Sequence, residues 1–165
     1  MMMKGWTIGV LTAGLLISAG AAAQSSRADS ALMAPVVDQH NAWRKAHDPG
    51  LKPLVWSQSL ADSAQGWAEH LAEFGRLVHD RNCCGPIFGQ TRSLGENLAI
   101  SDTPTAAAAL WQDEKAFYMS LLKEGQECSA ALGPRYNDCG HYKNIIQGRF
   151  THIGCGFKDR TLVCR

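Results

Sequence analysis

Apolar positions recur at helical spacing in three stretches of this chain and cluster into short extended runs between them. Val36, Val37, His40, Trp43, Arg44 and His47 follow at intervals of three or four, with Pro35 suited to the first turn of the helix and Asp48-Pro49-Gly50 ending it. Pro53-Leu54-Val55-Trp56 reads as a short extended segment. The clearest stripe is Leu60, Ala64, Trp67, Ala68 and Leu71, on a helix capped by Ser57 or Ser59 and closed by Gly75. A third helix starts at Thr103-Pro104 and carries Ala107, Leu110, Trp111, Phe117, Tyr118 and Leu121 on its apolar side, interrupted by Glu114. That interruption asks for a partner, because Glu is almost never buried alone. Glu96 to Ile100 suits a short buried segment, residues 78–94 and 125–138 suit loops, and residues 141–147 suit a short helix. Residues 151–157 and 161–164 form a hairpin around Lys158-Asp159-Arg160. With helices first and a hairpin last, the class is α+β rather than a βαβ succession.

Composition changes the reading of the N-terminus. Lys4 precedes an apolar run to about Gly20, and Ala21-Ala22-Ala23 supplies the small residues of a cleavage site, so residues 1–23 read as a cleaved secretory signal. The alternative is a membrane anchor, for which the run falls short of the roughly 20 residues a span needs; no later segment reads as membrane-spanning. Residues 24–34 are small and polar and read as a flexible mature N-terminus, leaving residues 35–165 as one domain. Removing 23 of the 165 residues takes one lysine and no acid, and the mature chain is formally neutral. Neutrality argues against nucleic acid, whose binding is driven by excess Lys and Arg. From Cys139 on, Lys143, Arg149, Lys158, Arg160 and Arg165 face only Asp159; the local bias suits an anionic surface or, more simply, a solvated face.

Six cysteines in an exported chain point to disulfides. Two of the possible pairings are economical: Cys155 with Cys164 clamps the terminal hairpin, and Cys128 with Cys139 closes the loop before His141. Cys83 and Cys84 remain as neighbours that form a vicinal disulfide, pair with another chain or stay free. The tract Cys139-Gly140-His141-Tyr142 sets a histidine in this stapled frame, and His79, Glu96 and Glu114 lie upstream as possible companions. Two imidazoles and two carboxylates suit a divalent metal or acid–base work. Each Glu can equally orient a His by accepting its second ring N–H.

Seven pieces in order, His40-Asn41-x-x-Arg44, Pro53-Leu54-x-Trp56, Leu60-Ala61-x-x-Ala64-Gln65-x-Trp67-Ala68, Gly95-Glu96-Asn97-Leu98-Ala99, Trp111-x-x-Glu114-x-x-x-Tyr118, Gly140-His141-Tyr142 and Ile153-Gly154-Cys155-Gly156, resemble the CAP superfamily of cysteine-rich secretory, antigen 5 and pathogenesis-related proteins. The resemblance spans nearly the whole mature chain. It implies a three-layer α-β-α sandwich with a central antiparallel sheet and a cleft carrying His79, Glu96, Glu114 and His141, which in the family hold a divalent metal, usually zinc. Some members bind sterols or fatty acids. Lys143-Asn144 after Gly-His-Tyr, with Phe150-Thr151, looks more like bacterial exported members, while the Cys-rich tail is closer to the eukaryotic secreted branch.

Asn97, Tyr118 and Tyr142 are candidate ligand contacts, although Asn97 also suits fixing backbone after Glu96 and both tyrosines suit half-buried core. His40 reads as a hydrogen-bonded structural or cleft-edge residue; His47, His70 and His152 have no motif support. Two functions fit. One is a secreted or periplasmic binding module whose cleft holds a metal ion and recognises a small lipid, a peptide or a partner surface. The other is a metal-assisted hydrolase with His79 and His141 as ligands and Glu96 or Glu114 as general base. The sequence favours binding, since it offers no Gly-x-Ser-x-Gly elbow, no His-Glu-x-x-His helix and no phosphate loop.

Overall fold

A computed structural model describes residues 26–81 and 95–165. The signal segment and the Cys83-Cys84 pair lie outside the described residues. Helix α1 spans Ser30–His47, five residues longer at its start than Pro35 suggests. Asp29 is the reason: its carboxylate accepts from the N–H groups of Ala31 and Leu32, satisfying orphan donors of the first turn. Part of the stretch expected to be loose is therefore helix, with Met33 buried in the core. Pro35 sits inside, where its ring removes only the bond to the Ala31 carbonyl.

Strand β1 (Val55–Trp56) leads into α2 (Gln58–Phe74), capped by Ser57 and closed by Gly75 in the left-handed region with φ 75°. Strand β2 is Asn97–Ile100. The single helix expected after Thr103 is two, α3 (Pro104–Asp113) and α4 (Lys115–Lys123), which meet at Glu114. The stretch expected as loop carries a 3-10 segment, Ala130–Asp138, broken at Gly133. Helix α5 (Gly140–Ile145) follows, then β3 (His152–Ile153), β4 (Cys155–Lys158) and β5 (Thr161–Cys164).

The main sheet is antiparallel in the order β2-β5-β4, and β1 pairs in parallel with β3 beside it. Side chains alternate across the sheet as the pleat requires. Leu98 and Val163 pack with Ala64, Ala68 and Leu71 of α2. Ala99, Leu162, Cys155 and Cys164 point the other way, to Met33 and Val36 of α1, Trp111 of α3 and Tyr142 and Ile145 of α5. The result is the α-β-α sandwich expected. Its two glycines in Ile153-Gly154-Cys155-Gly156 have a steric cause: a Cβ on Gly154 would stand 2.1 Å from the Ala61 nitrogen, and one on Gly156 2.2 Å from the Gln65 Cα. The helix backbone thus lies directly on the strands. Gln65 completes the contact, accepting from the Phe157 N–H at 3.0 Å.

Both economical disulfides are present. Cys128–Cys139 closes the segment before α5, and Cys155–Cys164 links directly opposed residues of the hairpin. The His-Asn-x-x-Arg piece ties α1 to its surroundings. Asn41 exchanges two hydrogen bonds with the Leu54 backbone, and buried Arg44 donates to the carbonyls of Lys52, Ile145, Gln147 and Phe150. No helix among the described residues is long and apolar enough to cross a membrane.

Candidate functional site

Glu114 stands at the joint between α3 and α4, where its side chain reaches the start of α5. One oxygen accepts from the backbone N–H groups of His141 (2.9 Å) and Tyr142 (3.0 Å), and the other meets His141 Nδ1 at 2.5 Å. The carboxylate thereby serves as the missing cap for α5, which lacks a side-chain cap of its own. The polar interruption of an apolar stripe has found its partner.

Glu96 makes a parallel arrangement by different means. Its Oε1 meets His79 Nδ1 at 2.7 Å and accepts from the Asp80 N–H at 3.1 Å, while Oε2 takes two bonds from Arg165 at 3.0 and 2.8 Å. The buried Arg165 guanidinium also donates to Asp80 at 2.8 Å and to the Ser63 carbonyl and hydroxyl, so every N–H it carries is used. Asn97 links the two pairs: it follows Glu96, donates to the His141 carbonyl at 3.1 Å and accepts from Asn144 at 2.9 Å.

In a neutral ring, a carboxylate on Nδ1 fixes the proton there and leaves Nε2 as the lone-pair nitrogen. Both histidines are held this way. The expected four-donor set is therefore divided into two Glu–His pairs, and among the described residues no three His, Cys, Asp or Glu side chains are grouped to hold a metal. Each carboxylate is thus in contact with Nδ1 of one imidazole. Tyr142 is fully buried with its hydroxyl 3.2 Å from His47 Nδ1, and Tyr118 packs edge-on against it; neither lines the cavity described next, and burial raises the pKa of both.

A cavity of about 380 Å³ opens beside Asn97, bounded by α1, the start of α2, α5 and residues 149–153. None of His79, Glu96, Glu114 or His141 lines it, so this cavity is not walled by the histidine pairs themselves. His40 lies in its wall. Burial, with a smaller contribution from Arg44, holds this imidazole at a pKa of about 4 despite the favourable bond from Nδ1 to the Val36 carbonyl at 2.7 Å.

The family model described as CAP, the cysteine-rich secretory protein family, matches residues 37–163. The chain belongs to this family. Pathogenesis-related protein 1A of Nicotiana tabacum is 34% identical over 148 residues, covering 86% of this chain and 71% of that protein. The secreted protein RBT4 of Candida albicans is 28% identical, over 79% of this chain and 31% of its own length. The crystal structure of NaASP2 with Zn2+ superposes with a TM-score of 0.55 at 19% identity, covering 84% of this chain and 80% of that one. An extracellular SCP-domain protein of Bacillus anthracis superposes with a TM-score of 0.52 at 23% identity, over 81% and 39% of the two chains. At such identities the two structures speak to the CAP fold alone.

Within the CAP fold, the residue that sequence reasoning passed over is Arg165, which stands just beyond the family match and was counted only as part of a basic tail. The available signal was strand periodicity, which puts residue 165 on the same face as Val163, towards α2. The rest of that tail is dispersed: Arg160 pairs with Asp102, Lys158 lies near Asp159, and Lys143 donates to the Cys128 carbonyl.

Proposed function

We propose that this CAP protein is exported, to the extracellular space or the periplasm, and binds a divalent metal, zinc, through His79 and His141, with the surrounding surface recognising a small lipid, a peptide or a partner protein. The observation that carries the reading is the repetition of one device: a carboxylate on Nδ1 of each imidazole, orienting the ring and leaving Nε2 as the lone-pair nitrogen. Imidazole nitrogen is a preferred zinc donor, and bound zinc would supply Lewis acidity or a cross-link between α5 and the stretch after α2. A relative described as secreted and a fold neighbour crystallised with Zn2+ support export and metal respectively. Two disulfides are in keeping with an oxidising compartment.

A hydrolase using Glu96 or Glu114 as general base draws less support. Among the described residues Glu96 already accepts four hydrogen bonds, two of them from the Arg165 guanidinium, and Glu114 accepts three, so both are engaged in holding the structure rather than free to take a proton from water. Calorimetric titration with zinc tests the metal reading. The wild type should show one binding event that His79→Ala and His141→Ala each weaken by at least about tenfold, the loss expected for one of two donors; equal binding by either variant refutes a shared two-histidine site.

A further inference from the structure

The cavity beside Asn97 is bordered by side chains whose hydrogen-bonding capacity is unspent. His40 is 2% exposed, and its Nδ1 is committed to the Val36 carbonyl, an acceptor, so Nδ1 carries the proton and Nε2 is a lone-pair acceptor. Nε2 has no hydrogen-bond partner among the described residues, and the ring forms part of the cavity wall. Asn144 is in the same position. Its amide nitrogen is spent on Asn97, and its carbonyl oxygen is free to accept.

Charge adds a second requirement. Among the described residues no Asp or Glu side chain lines the cavity, whereas Arg149 and Arg165 do. Arg165 is fully engaged by Glu96, Asp80 and Ser63, but Arg149 forms no ion pair among the described residues and instead lies over the Phe150 ring, 5.0 Å from its centroid. The Phe150 ring is seated there because residue 95 is glycine: a Cβ at that position would meet it at 2.9 Å. Leu54, Leu60, Ile145 and Ile153 supply apolar wall. A volume of about 380 Å³ is near the lower end of the roughly 300–1,000 Å³ usual for small-ligand sites, which suits a ring-sized body.

We propose that this cavity binds a small organic carboxylate with a hydroxyl group on a compact apolar body, the carboxylate meeting Arg149 and the hydroxyl donating to His40 Nε2. An anion is matched by Arg149, which forms no ion pair among the described residues. A hydroxyl donor is matched by a ring nitrogen of His40 that has no partner among the described residues. None of the four residues of the Glu–His pairs lines this site, and it stands or falls without a metal.

The test uses para-hydroxyphenylacetate as probe, titrated into the mature protein and followed by calorimetry and ligand-observed NMR. The acid should bind saturably, and its methyl ester, which lacks the charge, should bind about tenfold more weakly, the loss expected for one charge-assisted hydrogen bond. Phenylacetate, which lacks the hydroxyl, should lose several-fold. Arg149→Ala, a solvent-facing change that leaves the core intact, should reproduce the ester's loss with an unchanged circular dichroism spectrum. His40→Gln, if folded, should reduce the preference for the hydroxylated acid. Absence of saturable binding by the wild type overturns the proposal, as does affinity that neither the ester nor Arg149→Ala lowers.

Discussion

The two Glu–His pairs look alike at the imidazole and differ in everything behind it. Glu114 is braced by two consecutive backbone N–H groups at the start of α5, so its anchor is a helix end adjacent to the histidine it serves. Glu96 is braced by a guanidinium from the far end of the domain, in a buried network with Asp80 and Ser63. The His141 side chain is 25% exposed and that of His79 is 62% exposed. One histidine is carried on a helix and shielded; the other projects from the stretch after α2 and depends on a long-range ion pair for its orientation. The same local chemistry can thus rest on helix-end capping or on buried charge, and the two supports should fail differently.

Removing the carboxylates separates them most strongly. Glu96→Ala strands a buried Arg165 beside Asp80 and should cost about 4 kcal/mol of unfolding free energy, the range for breaking one side of a buried ion pair. Glu114→Ala leaves two half-buried N–H groups, which water can reach in part, and should cost about 2 kcal/mol. Urea denaturation of both variants checks the order, and equal costs would break the contrast.

A histidine that belongs to neither pair sharpens the picture. His40 is neutral in the folded protein with a pKa of about 4, below its ordinary value near 6.5. The unfolded chain therefore binds more protons between those values, and the stability contributed by the neutral ring, complete above pH 6.5, is lost as pH falls towards 4. From pH 7 to 5 the loss should be about 2 kcal/mol. His40→Gln should flatten that slope in denaturation curves measured at each pH.

The smallest effect is expected at the hairpin that delivers Arg165 to Glu96. Its two central residues, Asp159 (φ 44°) and Arg160 (φ 71°), both lie in the left-handed region that a two-residue turn of this hand demands, without a glycine. Arg160→Gly should raise stability by about 0.5 kcal/mol, since the exposed pair it gives up with Asp102 contributes little. Thermal unfolding would register the gain, and a loss would show that the Asp102 contact matters more than backbone strain.

Much of this architecture could be read from the chain alone because it depends on neighbours in sequence. Ser57 and Gly75 bound α2, the stripe Leu60, Ala64, Ala68 and Leu71 faces the sheet, and both short-range disulfides join cysteines 11 and 9 residues apart. The order of seven short pieces was enough to recognise the family. Local spacing also marked Glu114 as a carboxylate in want of a partner. Other features rest on contacts distant in sequence, and there local reading fell short. The helix runs back to Ser30 because Asp29 caps it and Met33 finds a core to enter.

What the sequence by itself determined was the family and the layer order, and it singled out two histidines and two glutamates as candidates. Only the tertiary structure decided that these four stand as two pairs, that Arg165 closes one of them, and that His40 borders a cavity that none of the four lines. The physical reason is directional. Periodicity tells which way a side chain faces, but a hydrogen bond between residues 69 positions apart, such as Arg165 to Glu96, is set by how helices and strands pack, and packing is fixed only when the whole core closes.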